Sequence, residues 1–173
     1  MNESNMTPYD AAKLAVKIGS EYLKLGNGLK GIFINPSELP NSKLKALFNY
    51  DYWLIYFNQD WVSYSEVYEV LHTGFHEVRH AYQAMQVLYK DKGLIHYYHE
   101  DDNRIRLWKE ELDEYYLSND NTYKYHQDIE IDAIAFAHYM MKKLYLKEFL
   151  ISKLIKAEVD LRIKEIDEKM RLK

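Results

Sequence analysis

The fold is decided by residues 63–89, which read SYSEVYEVLHTGFHEVRHAYQAMQVLY. This stretch contains no proline and a single glycine, Gly74, and its apolar residues recur every three or four positions. Such spacing is typical of a helix with an apolar face. The sequence therefore predicts one long buried helix over residues 63–89, with Ser63 or Ser65 near its N-cap.

Helical patterns also run through other parts of the chain. A first helix is expected to follow Thr7 as N-cap and Pro8 as first helical residue, and to end near Gly26. A charged helix is predicted over residues 102–117. Residues 127–144 are apolar on most faces and predict a central helix.

Two short runs rich in β-branched and aromatic residues predict strands. They are residues 31–35 and 52–58, each bounded by proline, Asn or Asp. We interpret residues 52–58 as an edge strand that could hold an extended substrate peptide by main-chain pairing. The patterns together predict a mainly helical α+β fold, with a small sheet packed on the long helix, in one domain over residues 1–173.

Composition and charge exclude several classes of protein. The chain of 173 residues has no cysteine, which excludes a disulfide framework and a zinc site with thiolate ligands. A net charge of −4 argues against binding nucleic acid by phosphate neutralisation. No window approaches the ~20 apolar residues that span a bilayer, and the first residues do not resemble a signal peptide. We therefore expect a cytoplasmic protein without nucleic-acid or membrane partners.

The long predicted helix contains the motif His76-Glu77-Val78-Arg79-His80. Two histidines four residues apart lie on one face of a helix, where both imidazoles can bind one metal ion. The Glu between them can take a proton from a metal-bound water, whose pKa the ion lowers to about 7. The motif predicts a peptidase site in which His76 and His80 bind Zn²⁺ and Glu77 is the catalytic general base.

A catalytic zinc site needs a third protein ligand, which in this chain must be His, Asp or Glu. The best candidates are Asp128, Glu130 and Asp132, because carboxylates at the start of an apolar helix need a partner. Alternatively, these acids only stabilise the helix N-terminus through its dipole. Asp132 lies about 200° around the helix from Glu130, so the two carboxylates cannot readily bind one ion.

Two motifs lie in residues 70–141: His76-Glu77-x-x-His80 and, about fifty residues later, Glu130-x-x-Ala133-x-x-Phe136-Ala137. In these motifs the chain resembles the gluzincin group of zinc metallopeptidases. The chain is most similar to the ImmA/IrrE-type bacterial peptidases and the prenyl-protein endopeptidase family. The resemblance implies a zincin-like fold, Glu130 as the third metal ligand, and an intracellular peptide or protein substrate. Asp132 is the alternative ligand if Glu130 points away.

Small bacterial and mobile-element proteins with a His-Glu-x-Arg-His-x-x-Gln core are also similar, and Arg79 and Gln83 match that core. One position departs from the gluzincin pattern. The families place Asn or Asp four residues after the ligand Glu, where it braces a ligand histidine, and this chain has Ile134. We expect Asp132 or Asp128 to orient a ligand imidazole through its second nitrogen instead.

The other histidines and the tyrosines are weaker candidates. His72 shares a helix face with His76, and we interpret it as a packed residue or one behind the ligands. His138 is interpreted as an ordinary, partly buried histidine, and His96 is a weak candidate. Several side chains lie in segments that could fold over a metal and supply a donor for the oxyanion: Tyr97, Tyr98, His99, Tyr123, Tyr125 and His126.

Residues 148–173 are dense in Lys and Glu and carry an apolar stripe, which predicts a C-terminal helix. This helix either packs on the domain or offers a surface to a protein partner. Two other functions remain open: a non-catalytic, metal-binding regulatory or interaction domain, and a helical interaction protein in which the motif is accidental. Glu77 favours the peptidase, since a purely structural metal site needs no general base.

Overall fold

The computed structural model of the chain describes residues 6–94, 100–117 and 127–171. These residues form a mainly helical α+β fold, as predicted. The helices are α1 (Pro8–Leu23), α2 (Gln59–Tyr64), α3 (Val67–Asp91), α4 (Asp102–Leu117), α5 (Asp128–Tyr145) and α6 (Lys156–Arg171). The strands are β1 (Lys30–Ile34), β2 (Ala46–Asn49) and β3 (Leu54–Asn58).

The three strands form one mixed sheet in the order β1, β3, β2. The central strand is β3, which pairs in parallel with β1 and antiparallel with β2. The prediction of an edge strand at residues 52–58 is therefore wrong, because β3 is hydrogen-bonded on both sides. The edge strands are β1 and β2, and no sequence pattern revealed β2, which contributes only four residues.

The centre of the fold is α3, which packs against α1, α4, α5 and β2. The predicted helix over residues 63–89 is wrong at its start, because two helices occupy this stretch. Ser65 is extended and separates α2 from α3, and its hydroxyl donates a hydrogen bond to the carbonyl of Trp61 at 2.7 Å. Glu66 is the N-cap residue of α3.

A close approach of α1 and α3 explains the glycine inside α3. A Cβ atom on Gly74 would lie 2.5 Å from the Cβ of Ala15 on α1, which is closer than two carbon atoms can pack. The start of α1 is as predicted, since the side chains of Thr7 and Asp10 form a capping box. Its end comes earlier than expected, because Lys24 takes a left-handed conformation with φ 57°.

The second layer over α3 is formed by α5, on which α6 packs in turn. The bounds of α5 agree with the prediction to within a residue. The C-terminal helix does not begin at residue 148, because residues 146–152 have no regular structure, residues 153–155 form a turn, and α6 starts at Lys156. The buried side chains of α6 are Val159, Arg162 and Ile166. In the described part of the chain, no helix combines the length and the apolar character that a membrane span requires.

Candidate metal centre

The packing of α3 on α5 brings His76, His80 and Glu130 together. The Nε2 atoms of the two histidines lie 3.0 Å apart. The two carboxylate oxygens of Glu130 lie 3.4 Å from these nitrogens, one opposite each histidine. The three side chains are 14–18% exposed, so the cluster is open on one side. We call it the triad.

The donor atoms of the triad fit a divalent metal ion. Two ligand atoms about 2.0–2.2 Å from a tetrahedral ion lie about 3.3–3.6 Å from each other. The separations in the triad are 3.0 and 3.4 Å, so a small adjustment suffices. Two imidazoles and one carboxylate are typical ligands of catalytic zinc, and the same set binds Fe²⁺ in some oxygenases.

Burial and charge shift the pKa values of the triad in the metal-free protein. Burial would lower the pKa of His80, but the carboxylate of Glu130 outweighs it and raises this pKa to about 9. Burial would raise the pKa of Glu130, but His80 and His76 hold it well below its usual range. The metal-free triad therefore binds a proton at neutral pH, which a metal ion would displace.

Gln83 braces His80 from behind. The Gln83 Oε1 atom lies 2.8 Å from Nδ1 of His80, and the Gln83 amide nitrogen donates to the carbonyl of Ile129 at 2.8 Å and to Asp132 Oδ2 at 2.6 Å. Both of these oxygens are acceptors, so the amide nitrogen must face them and Oε1 must face the imidazole. His80 therefore carries a hydrogen on Nδ1, and its Nε2 is directed at Glu130 and His76.

The structure places Asp132 and Asp128 away from the ligand imidazoles. Asp132 is bound by arginines and acts on His80 only through Gln83, so it is neither the alternative ligand nor a direct brace. Asp128 accepts a hydrogen bond from the indole of Trp108 at 2.9 Å. Sequence reasoning missed the brace, although Gln83 follows His80 at helical spacing and its match to the similar core was visible.

Glu77 lies beside the triad and touches the sheet. Its Oε2 atom accepts a hydrogen bond from the backbone N–H of Phe48 on β2 at 2.8 Å. The backbone N–H of Asn58 donates a hydrogen bond to the carbonyl of Lys45 at 3.0 Å. With the register of β2 and β3, this means that the backbone N–H and C=O groups of Ala46 and Phe48 face away from β3. The outer edge of β2 is therefore turned toward α3 at the triad.

A cleft opens beside Glu77, His80 and Glu130. It is lined mostly by apolar side chains from the sheet and three helices, among them Leu47, Phe48, Ala84, Leu112 and Ile129. A second cavity shares Ala84 and Leu112 with the first and reaches Val87 and Leu88 farther along α3. The triad thus borders an apolar cleft that follows α3.

His72 and His138 pack against each other and take no part in the triad. Their ring centroids lie 4.8 Å apart, and the ring of Phe149 lies 4.6 Å from that of His72. Burial, together with the nearby His138 and His76, lowers the pKa of His72 to about 3. Both are packed residues, as we interpreted them. The remaining histidine and tyrosine candidates lie outside the described residues: His96, Tyr97, Tyr98, His99, Tyr123, Tyr125 and His126.

Comparisons of this chain with protein-family models, with curated proteins and with solved structures found no match. The functional interpretation therefore depends on the motifs and on the geometry of the triad.

Proposed function

We propose that this protein is a zinc-dependent metallopeptidase that hydrolyses peptide bonds through a metal-activated water. One observation carries the proposal: His76, His80 and Glu130 direct their donor atoms at a common point, with separations of 3.0–3.4 Å, and Glu77 lies beside them. Bound zinc would acidify a water molecule and polarise the substrate carbonyl. The runs of residues that resemble gluzincins support the same activity.

Each side chain around the triad would have a distinct role in hydrolysis. His76, His80 and Glu130 hold the ion, and Gln83 keeps the hydrogen of His80 on Nδ1. Glu77 takes the proton from the attacking water and delivers it to the leaving amine. The hydrogen bond from β2 fixes the Glu77 carboxylate through Oε2 and leaves the carboxylate further acceptor sites for water.

The surroundings of the triad suit a peptide. Apart from the Phe48 N–H, which Glu77 holds, the outward-facing backbone groups of β2 can pair with an extended chain, a role that the sequence had suggested for residues 52–58. The apolar cleft beside the triad would then receive an apolar side chain near the scissile bond. We propose an intracellular peptide or protein as the substrate.

The test combines metal analysis with cleavage of a peptide library by the wild type and Glu77→Gln. We expect about one equivalent of zinc in both proteins and cleavage by the wild type only. The Gln side chain can still accept the hydrogen bond from Phe48, so the change removes the base and preserves the contact. Glu69→Gln is the matched control: Glu69 lies on α3 but pairs with Lys45 at the surface, so this variant should cleave normally.

Each result has a defined meaning. Cleavage by Glu77→Gln at the wild-type rate would remove Glu77 as general base. Iron in place of zinc would contradict the choice of metal, and failure to bind zinc after reconstitution would contradict the metal site. Stoichiometric zinc without cleavage of any peptide would favour the non-catalytic, metal-binding domain.

A further inference from the structure

Four charged side chains meet behind the triad, between α3, α5 and α6. They are Arg79, Glu100, Asp132 and Arg162, whose side chains are only 1–4% exposed. Glu100 accepts from both arginines at 3.2 Å and also pairs with Lys169. We call this group the ion cluster. Buried charges persist only when they are paired, so these contacts constrain how α6 docks.

Asp132 is the centre of the ion cluster. Its Oδ1 accepts from Arg79 Nη2 at 3.0 Å and from Arg162 Nε at 2.6 Å. Its Oδ2 accepts from Arg79 Nε at 2.8 Å and from Gln83 Nε2 at 2.6 Å. Four donors on two oxygens leave this carboxylate a single orientation, and the bond to Gln83 depends on that orientation.

The hydrogen bonds run without a gap from α6 to the triad. Arg162 binds Asp132, Asp132 binds Gln83, and Gln83 accepts from Nδ1 of His80 at 2.8 Å. We propose that α6 positions the ligand His80 through this relay, so that docking of α6 sets the affinity of the triad for its metal ion. The inference rests on the proposed function only in requiring that the triad binds a metal.

Loss of Arg162 would act on His80 at a distance. The Asp132 carboxylate would keep Arg79 but lose the donor that α6 supplies to Oδ1, and it would turn toward its remaining donors or take up water. Either change shifts the acceptor that fixes the Gln83 amide. An amide that can rotate no longer holds the hydrogen on Nδ1 of His80, so Nε2 is presented to the metal for only part of the time.

The experiment measures zinc affinity, by competition with a chromophoric chelator, and the free energy of unfolding of the metal-free protein in urea. Gln83→Met breaks the relay next to the ligand and should weaken zinc binding by about 10–100-fold, the usual effect of losing an outer partner of a ligand. Arg162→Met breaks it at α6 and should weaken binding by about 10-fold. Both residues are positioning residues, because neither contacts the metal.

Lys169→Met is the matched control. Lys169 is also a cation of α6, and it pairs with Glu100 of the ion cluster rather than with Asp132. Its removal should destabilise the packing of α6 while changing zinc affinity by less than about twofold, since the relay is intact. Equal losses of affinity in Arg162→Met and Lys169→Met would overturn the relay, because affinity would then follow the general packing of α6.

Two further outcomes separate this inference from the proposed function. If Arg162→Met does not fold, Gln83→Met decides, and wild-type affinity in that variant would overturn the relay. Tight zinc binding without peptide cleavage would refute the peptidase, and the affinities of the variants would still support or refute the relay. A wild type that binds no zinc would overturn both.

Discussion

Glu130 and Asp132 lie two residues apart on α5, yet they face opposite kinds of neighbour. Glu130 is 14% exposed and lies 3.4 Å from two imidazoles at the edge of the cleft. Asp132 is 1% exposed, and two guanidinium groups approach it to 2.8 and 2.6 Å. One helix therefore presents one carboxylate to the candidate metal centre and another to the buried ion cluster.

The difference between the two carboxylates lies in how their charge is compensated. Arginine is charged at every physiological pH, so the fold itself neutralises Asp132. A neutral imidazole carries no charge, so Glu130 is compensated only when His80 holds a proton or a cation enters the triad. Asp132 is therefore expected to stabilise the fold, and Glu130 to bind the ion.

Asp132→Asn tests the structural half of this comparison and should have the largest effect. The variant keeps the shape of the side chain but leaves two buried arginines short of one negative charge. Breaking a buried ion pair from one side typically costs about 3–5 kcal/mol, so we expect a loss of that size in the free energy of unfolding in urea.

The control for this variant is Asp167→Asn on α6. Asp167 forms an ion pair with Arg171 nearer the surface, so its loss should cost less than about 1 kcal/mol. A loss of less than about 1 kcal/mol for Asp132→Asn as well would mean that the ion cluster contributes little to stability.

Glu130→Gln tests the other half of the comparison, the expected role of Glu130 in binding the ion. It should weaken zinc binding by more than about 100-fold, because loss of an outer partner alone already costs about 10–100-fold. The urea concentration at which the metal-free variant unfolds should lie close to that of the wild type. It should shift less than in Asp132→Asn, since no arginine is left unpaired. Chelator competition and urea unfolding measure the two effects, and wild-type zinc affinity would remove Glu130 from the ligand set.

The pH dependence of zinc binding sharpens the contrast further. The folded, metal-free protein has a pKa of about 9 at His80, against an ordinary value of 6.5. The Glu130 and His80 pair therefore stabilises this state fully between about pH 4.5 and 6.5, and the contribution is lost as the pH rises through about 9 or falls below the usual pKa of Glu130 toward its lowered value. Zinc must displace this proton, so its affinity should rise about tenfold per pH unit between pH 7 and 9 and then level off.

Isothermal titration at several pH values checks this slope, after correction for the buffer. In Glu130→Gln the rise of zinc affinity with pH should level off at a lower pH, because the carboxylate that raises the pKa of His80 is gone. The ion cluster contributes no slope in this range, since the pKa values of its arginines are raised and those of Asp132 and Glu100 are lowered. A pH-independent affinity in the wild type would contradict the proton on His80.

The sequence predicts the features of the fold that depend on local periodicity. The capping box of α1, the extent of α4 and α5 and the common face of His76 and His80 follow from spacings along one helix. Strand order does not follow from such spacing. Pairing of β3 with β1 and β2 is a long-range choice, so its β-rich residues could not reveal that it is central.

The difference between local spacing and long-range contacts also explains which parts of the candidate site the sequence predicts. The resemblance to gluzincins indicated Glu130, but the brace on His80 needs Gln83 to meet a carboxylate 49 residues farther along the chain. The contact of Arg162 with Asp132 joins residues 30 positions apart, on helices whose docking no periodicity specifies. The start of α6 was missed because residues 148–155 continue the apolar stripe without forming a helix.

Asp128 is the remaining carboxylate in the first turns of α5, and its substitution should have the smallest effect on stability and zinc affinity. Burial raises its pKa, although Arg104 and the bond from Trp108 oppose this, so the ionised form is disfavoured in the folded protein. Asp128→Asn removes that unfavourable charge and keeps an oxygen for Trp108, but it loses about 0.3–1 kcal/mol of favourable interaction with the helix N-terminus. These contributions have opposite signs. The free energy of unfolding should therefore change by less than about 1 kcal/mol, and zinc affinity by less than about twofold. A loss of stability as large as that of Asp132→Asn would show that any acid on this helix, and not its arginine partners, accounts for the effect.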